Sequence, residues 1–596
     1  MDSHVYIDDF FVTGETDYSA ALMRAILHLR PFGGGVIEYG SGTFVHAPYA
    51  SIIAPDEGTA ATVSSLDPNI SIVGQGSGAT IWVPTSNKLE FIAQRGANLR
   101  IGGIWVYGDE YGLLQDVPKQ PLITPSSGLA GLGNNAFSFI RQYDGNGGLV
   151  IDDVTCSQIN VGVHYCGDYT DEETLYGDLR TRDYYTDTCC FGLLVEQPER
   201  ISIIHGGSKN TKISTNADGS TDPGHYLYVT NRIGAAPHTI NISHISGYKD
   251  HNSTLKVRKG EVVVISNVAL NQCGRGIDIV DVQSGSLSNY AAVCLQDALN
   301  NPTGVGTNML EITDTSNFVV DGVEIDIRGQ MAYGILMRTD TNAANAKNVT
   351  VNNVIVVGDY TDTGKQPLLC VGQSDIKIRD FQFVHTGSTP SPDRWPIAIS
   401  GCSNVHVINP AHYVDDPSLS DASYLVGFDA TCVACKVTYS DGHISVDATT
   451  NTVHVSTGGD VTVFNESRAF RLGYDRSTQL DPASTLIAGV QIFSSGQQIT
   501  STSGIAHVWQ RIGGDGTLLR AFNQNTIVAT MATVGSRAQL SLDGSTQCFD
   551  TTGAGSPEGV ITAGVGSTYR RRDGGAGTSF YVKESGGYSN TGWVAK

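Results

Sequence analysis

The sequence predicts an all-β protein: a right-handed parallel β-helix with a short N-terminal helical cap and a C-terminal antiparallel β region. Three observations carry that expectation. Glycine accounts for 69 of 596 residues, about 12%, against an average usage of about 7%, while charged residues make up only 16% against a typical ~25%, so turns and short strands are favoured over long surface helices. From about residue 70 to 440, short apolar strands recur every 20 to 35 residues, which is the mark of stacked repeats. Strong helical periodicity is confined to one place, near the N-terminus.

That helix lies in the stretch Ile7 to Phe44, where Ala20, Ala21, Met23, Ile26, Leu27 and Leu29 fall at helical spacing after Thr16 and Asp17. Thr16 and Asp17 offer N-caps. Gly33 to Gly35 end the helix, and Val36, Ile37 and Tyr39 begin an extended segment before the Gly40-Ser41-Gly42 turn.

Beyond it the strands come in successive versions: HYLYV from His225, STLKV from Ser253, GIDIV from Gly276, MLEIT from Met309, GILMR from Gly334, PLLCV from Pro367 and PIAIS from Pro396. Each is followed by a second strand, of which the one near Ala291 is degenerate. Two or three strands per turn, without a regular run of hairpin turns, argue for parallel coils. Parallel ladders must be covered or closed on themselves, and a β-helix meets that demand without crossover helices. After about residue 440 the text shifts to Thr, Ser, Gly and Val with alternating strands such as VHVST, VTVF and TIVATMATV. One or two antiparallel β modules are expected there. The expected divisions are 1–69 for the cap and first coil, 70–440 for the β-helix and 441–596 for the C-terminal modules.

Lys+Arg 37 against Asp+Glu 59 gives a formal charge of −22, a field that repels phosphate polyanions and argues against nucleic acid as a partner. No stretch approaches 18 uninterrupted apolar residues, and the N-terminus lacks a basic region followed by an apolar run. Neither a membrane span nor a secretion signal is expected. The 11 cysteines follow no disulfide framework, and Cys432 and Cys435 form a lone CxxC without a second ligand pair; buried free thiols and no metal or other cofactor are the expectation.

In a strand of period two, alternate side chains face outward, and stacked coils turn equivalent positions into columns. Aligning inward pairs Leu227/Val229, Leu255/Val257, Ile277/Ile279 and Leu310/Ile312 gives an outward column Tyr228, Lys256, Asp278, Glu311. One register step further lie Thr230, Arg258, Val280 and Thr313, then Leu336 and Arg338 on the next coil. Adjacent coils are about 4.8 Å apart, so Asp278 and Glu311 approach the roughly 5 Å carboxyl separation of a retaining glycosidase, and a rotamer change moves them toward the roughly 6.5–9.5 Å of an inverting one. Two like charges so close favour one protonated and one ionised carboxyl, an acid beside a base. The outward solvated surface ladder is the competing reading. A second acidic group, Asp321, Glu324 and Asp326, is expected on a different side of the prism, in turn capping and solubility.

A lyase would need a base near the C5 proton of a uronic acid and a cation for its carboxylate. His225, Tyr228, Lys249, His251, Lys256, Arg258 and Arg275 supply such groups within one cluster, and Lys256, Arg258 and Arg338 suit an acidic sugar. Tyr226, Tyr228 and Trp395 offer rings on which sugars stack.

The opening IDDF...TDYSAALMRAI...GGGVIEYGSGTF, followed by SIVGQGSGATIW from Ser71, resembles the start of the pectate-lyase-like superfamily as found in bacteriophage tailspikes. The C-terminal stretch from Gly564, GVGSTYRRRDGGAGTSFYVKESGGYSNTGWVAK, is similar to the terminal module that tailspikes carry. The resemblance implies a homotrimer and a receptor-binding protein of the virion tail, assembled in the bacterial host cytoplasm and acting outside the cell. It implies binding and cleavage of a bacterial surface polysaccharide, O-antigen or capsule, by hydrolysis, with β-elimination or pure adhesion as alternatives. Relatives carry an N-terminal virion-attachment domain, whereas this sequence opens almost at once on the cap; attachment to the phage baseplate through a short or missing N-terminal region is the expectation.

Overall fold

The structure is a computed structural model that describes residues 3–46, 61–63, 69–84, 90–95, 98–108, 138–143, 147–159, 161–165, 175, 177–196, 198–211, 214–215, 221–222, 224–229, 236–250, 252–294, 308–327, 333–341, 346–358, 366–386, 395–414, 426–439, 453–455, 461–465, 489–493, 496–500, 506–509, 516–523, 526–534, 537–541 and 547–596. The chain forms two compact units, 1–432 with 444–454, and 433–443 with 455–596.

The first unit is a parallel β-helix. Each coil contributes one long strand and one short one, as in Thr239–Tyr248 followed by Ser253–Val257. Long strands stack on long strands and short on short, all in parallel register. The long strand bends at a position that has left-handed backbone in coil after coil: Asp153, Asp183, His205, His244, Asn267, Asn289, Gly322, Asn353 and Asp380, with φ between 51 and 67°. Asn, Asp and Gly tolerate that conformation, which explains why these residues punctuate the repeats. Side chains of the bend also bond from coil to coil, Asn289 Nδ2 donating to Asn267 Oδ1 at 3.1 Å. Asp321-Gly322, a hairpin signal by composition, is such a bend inside the strand Ser316–Asp326.

The segment around Ala291 is not degenerate. Val282–Cys294 is a full rung, paired on both sides. Its small Ser and Ala residues hide a strand that the neighbouring rungs impose.

Apolar columns fill the interior. Leu227, Leu255, Ile277, Leu310, Ile335 and Leu368 stack in register and are all buried, each stabilising the fold by about 1.5–3 kcal/mol relative to exposure. Among them run buried tyrosines that hydrogen-bond to backbone carbonyls: Tyr184 Oη to Gly192 O at 3.0 Å, Tyr226 Oη to Tyr184 O at 2.9 Å and Tyr290 Oη to Met309 O at 2.6 Å. Gly276 makes room for this, since a Cβ there would overlap Tyr290 Oη and Met309 O.

The helix spans Ser19–Leu29 and buries Ala21, Leu22, Ala25, Ile26 and Leu29. Leu27 is exposed. Tyr18 occupies the cap position, and Asp17 Oδ1 accepts the Ser19 N–H at 2.9 Å. Gly33, at φ 76°, closes the turn after it. Strands Gly35–Glu38 and Gly42–His46 already stack on Asn69–Val73 and Thr80–Pro84, so the coils begin within the cap region.

In the second unit, neighbouring strands from Gly489–Phe493 to Trp593–Ala595 pair antiparallel, except that Asp550–Gly553 runs parallel to Thr568–Arg571. Phe549, Ile561, Ala563, Tyr569, Tyr581 and Trp593 form its core.

Candidate functional site

The short-strand sheet brings together the column expected from the alternation. Tyr228, Lys256, Asp278, Glu311 and Leu336 occupy directly opposed positions on strands His225–Val229, Ser253–Val257, Arg275–Val280, Asn308–Thr313 and Tyr333–Arg338. Asp278 and Glu311 are therefore lateral neighbours across one rung spacing of about 4.8 Å. Thr313 and Arg338 are paired in the next column, as the register step requires.

Each carboxylate has its own cation. Lys256 Nζ lies 3.1 Å from Asp278 Oδ2 and 5.7 Å from the centre of the Tyr228 ring. Arg338 Nη2 lies 2.9 Å from Glu311 Oε1. Glu311 also accepts from Asn308 Nδ2 at 2.8 Å on Oε2 and from Thr313 Oγ1 at 3.3 Å on Oε1. Both its oxygens face donors, which suits an ionised carboxylate held in one orientation. Asp278 differs. Its residue is 6% exposed, and Oδ1 has no hydrogen-bond partner among the described residues. A buried carboxylate oxygen without a hydrogen-bond partner is costly, by about 1–3 kcal/mol.

Burial corrects the picture of an open polar face. Asp278, Glu311 and Lys256 point outward from the coil yet are 6%, 6% and 8% exposed, because the side chains that flank and pair with them cover them. The acids are thus not solvated, and their charges are paired along the column. Lys256 and Arg338, expected as sites for a sugar carboxylate, are instead engaged by the protein's own acids. Burial pushes the Lys256 ammonium below its ordinary value, and the Asp278 charge opposes that shift.

Tyr226 is a correction of another kind. It shares the alternation phase of Tyr228, but it is fully buried and its hydroxyl donates to Tyr184 O within the core. His225 is also closed off: it is buried, its Nδ1 lies 2.6 Å from Ser253 O, and burial with the Lys256 charge drives its ring down to about 3. That ring is neutral at physiological pH and neither exposed nor charged for substrate. Tyr228 is half-buried and packs 5.2 Å from the His225 ring. Arg258 is partly exposed beside the column, and its Nε makes no hydrogen bond among the described residues. Trp395 covers Gly427, where a Cβ would overlap its ring. Thr230 and His251 lie outside the described residues. Asp321, Glu324 and Asp326 stand on the long-strand sheet, away from the short-strand column. Asn308 is the residue that alternation missed, since it stands three positions before Glu311, out of phase with it, yet donates to its carboxylate.

Among the described residues, no group of three or more His, Cys, Asp or Glu is placed to hold a metal ion. The ten described cysteines are free thiols and nine of them are buried. No described helix is long and apolar enough to cross a membrane.

No family model matches the chain. No curated protein matches it either. Solved structures with similar folds include tailspikes and polysaccharide-acting enzymes. A tailspike variant of the E. coli bacteriophage HK620, solved with a pentasaccharide, is 13% identical, with 77% of this chain and 81% of that chain covered and a TM-score of 0.42. The A-module of the Azotobacter vinelandii mannuronan C-5 epimerase AlgE4 is 11% identical, with 77% and 97% covered and a TM-score of 0.33. The N-terminal fragment of bacteriophage phi29 gene product 12 is 11% identical, with 82% and 74% covered and a TM-score of 0.37.

Proposed function

We propose that this protein is a phage tailspike that binds and depolymerises a bacterial surface polysaccharide by endo-glycosidic hydrolysis, with Asp278 and Glu311 as the working carboxylates. The observation that carries the reading is the pair of carboxylates on adjacent rungs, Asp278 fixed by Lys256 and Glu311 fixed by Arg338. In this reading Asp278 exchanges a proton with, or attacks, the scissile unit. Glu311, held by Arg338, Asn308 and Thr313, supplies the fixed negative charge that stabilises an oxocarbenium-like transition state. The homotrimer, the attachment to the virion baseplate and the O-antigen or capsule as target belong to this reading through the resemblance of the opening and of the C-terminal stretch. The site of action is the cell surface, outside the host.

A lyase reading has one observation in its favour. Lys256 is a buried amine with a lowered pKa beside Tyr228, a pair suited to removing a proton next to a carboxylate. The full chain incubated with a panel of purified capsular and O-antigen polysaccharides separates the readings. Released reducing ends without new ultraviolet absorbance support hydrolysis, whereas absorbance of an unsaturated uronic acid identifies elimination. Binding without any release identifies an adhesin. Under hydrolysis, Asp278→Asn and Glu311→Gln each lower turnover by about 10²–10⁴-fold, and full activity in either variant overturns the assignment.

A further inference from the structure

A concave surface lies on the long-strand sheet, away from the carboxylate column. It is a cleft of about 610 Å³ that runs on into one of about 280 Å³. Together they cross six successive rungs, a length of about 24 Å at the usual strand spacing. Four arginines line it in a chain whose net charge is −22: Arg100, Arg180, Arg182 and Arg200.

Two carboxylates tie these arginines together. Asp152 receives Arg100 Nη2 at 3.0 Å and Arg182 through Nε at 2.8 Å and Nη2 at 2.7 Å. Asp178 receives Arg180 Nη2 at 2.9 Å and Arg200 Nε at 2.8 Å. The acids lie beneath and the bases on top: the Asp side chains are 15% and 17% exposed, the Arg side chains 55–63%. Asp183, on the bend at the rim, approaches Arg182 Nε at 3.8 Å and shares its other side with His205. The carboxylates therefore hold the guanidinium groups through one or two N–H donors each, and leave the remaining donors on side chains that are more than half exposed. A guanidinium cannot accept a hydrogen bond, so the surface is donor-rich and complementary to ligands that present only acceptors. Spacing by rungs repeats those donors along a line.

We propose that this cleft binds a carboxylate-bearing polysaccharide along the β-helix, as an anchoring site separate from the Asp278–Glu311 pair. The inference does not rest on hydrolysis at that pair; it would hold equally for an adhesin. Polygalacturonate is the probe, with neutral dextran and dextran sulfate as controls, and binding to the full chain is read by affinity electrophoresis and calorimetry at low and at physiological salt. Polygalacturonate is expected to bind and dextran not to. Arg180→Gln with Arg200→Gln should weaken binding by about tenfold or more, each lost charge-assisted contact contributing about that much. Arg180→Lys with Arg200→Lys retains the charge and should recover part of it, which separates a lost contact from a lost fold; circular dichroism confirms folding of both. Unchanged binding in the Gln variant overturns the proposal. So does equal affinity for dextran sulfate that vanishes at physiological salt. A change in oligomeric mass in the Gln variant, read by light scattering, would show the cleft to be an interface between copies and would also overturn it.

Discussion

Removing the charge of Asp278 should injure the fold far more than removing that of Glu311, although the two acids sit side by side and are equally buried. The difference lies in their cations. Lys256 and Asp278 have side chains 10% and 8% exposed, whereas Arg338 is 45% exposed over Glu311 at 8%. Asp278→Asn strands an ammonium group away from water, and breaking a buried pair from one side costs about 3–5 kcal/mol. Glu311→Gln releases a guanidinium that water already reaches, so its cost resembles that of a more exposed pair, about 1 kcal/mol. A gap of about 2 kcal/mol or more corresponds to about a 30-fold difference in local opening. Hydrogen exchange of peptides spanning Ser253–Val257 and Arg275–Val280 reads it directly. Adding Lys256→Met to Asp278→Asn removes both charges and should restore much of the lost protection. Equal loss in the two single variants, or no recovery in the double variant, refutes the reasoning.

Two further outcomes follow from burial. His46 and His225 are driven by burial from the ordinary 6.5 down to about 3. The unfolded chain then takes up these protons below pH 6.5 while the folded chain refuses them until about 3, so their contribution to stability is full above 6.5 and is lost as pH falls through that window, by about 1.4 kcal/mol per pH unit per histidine. His225→Asn should flatten the fall by one histidine's share, measured as urea midpoints between pH 7 and 4.5; an unchanged slope contradicts the assignment. Tyr226→Phe should destabilise the β-helix by about 1 kcal/mol through the lost bond to Tyr184 O, yet leave glycan binding intact, and a binding defect with normal stability would return Tyr226 to the site.

The coil organisation was legible because two rules act locally. Alternation with period two fixes which residues go inward, and the need for left-handed backbone at each bend places Asn, Asp and Gly at nearly every repeat. Those rules suffice to align Lys256, Asp278 and Glu311 although 22 and 33 residues separate them in the chain. They fail at Tyr226, which shares the phase of Tyr228 yet bonds Tyr184 O in the core, and at Asn308, which is out of phase with Glu311 yet bonds it. They say nothing of depth.

Sequence alone therefore determined the stacked parallel coils and the neighbours within a column, because strand geometry is periodic. Tertiary structure decided how deeply the carboxylates lie, which cation each one holds, and how four arginines gather over Asp152 and Asp178. Burial and charge pairing depend on what lies beside and above a rung, and residues far along the chain supply both.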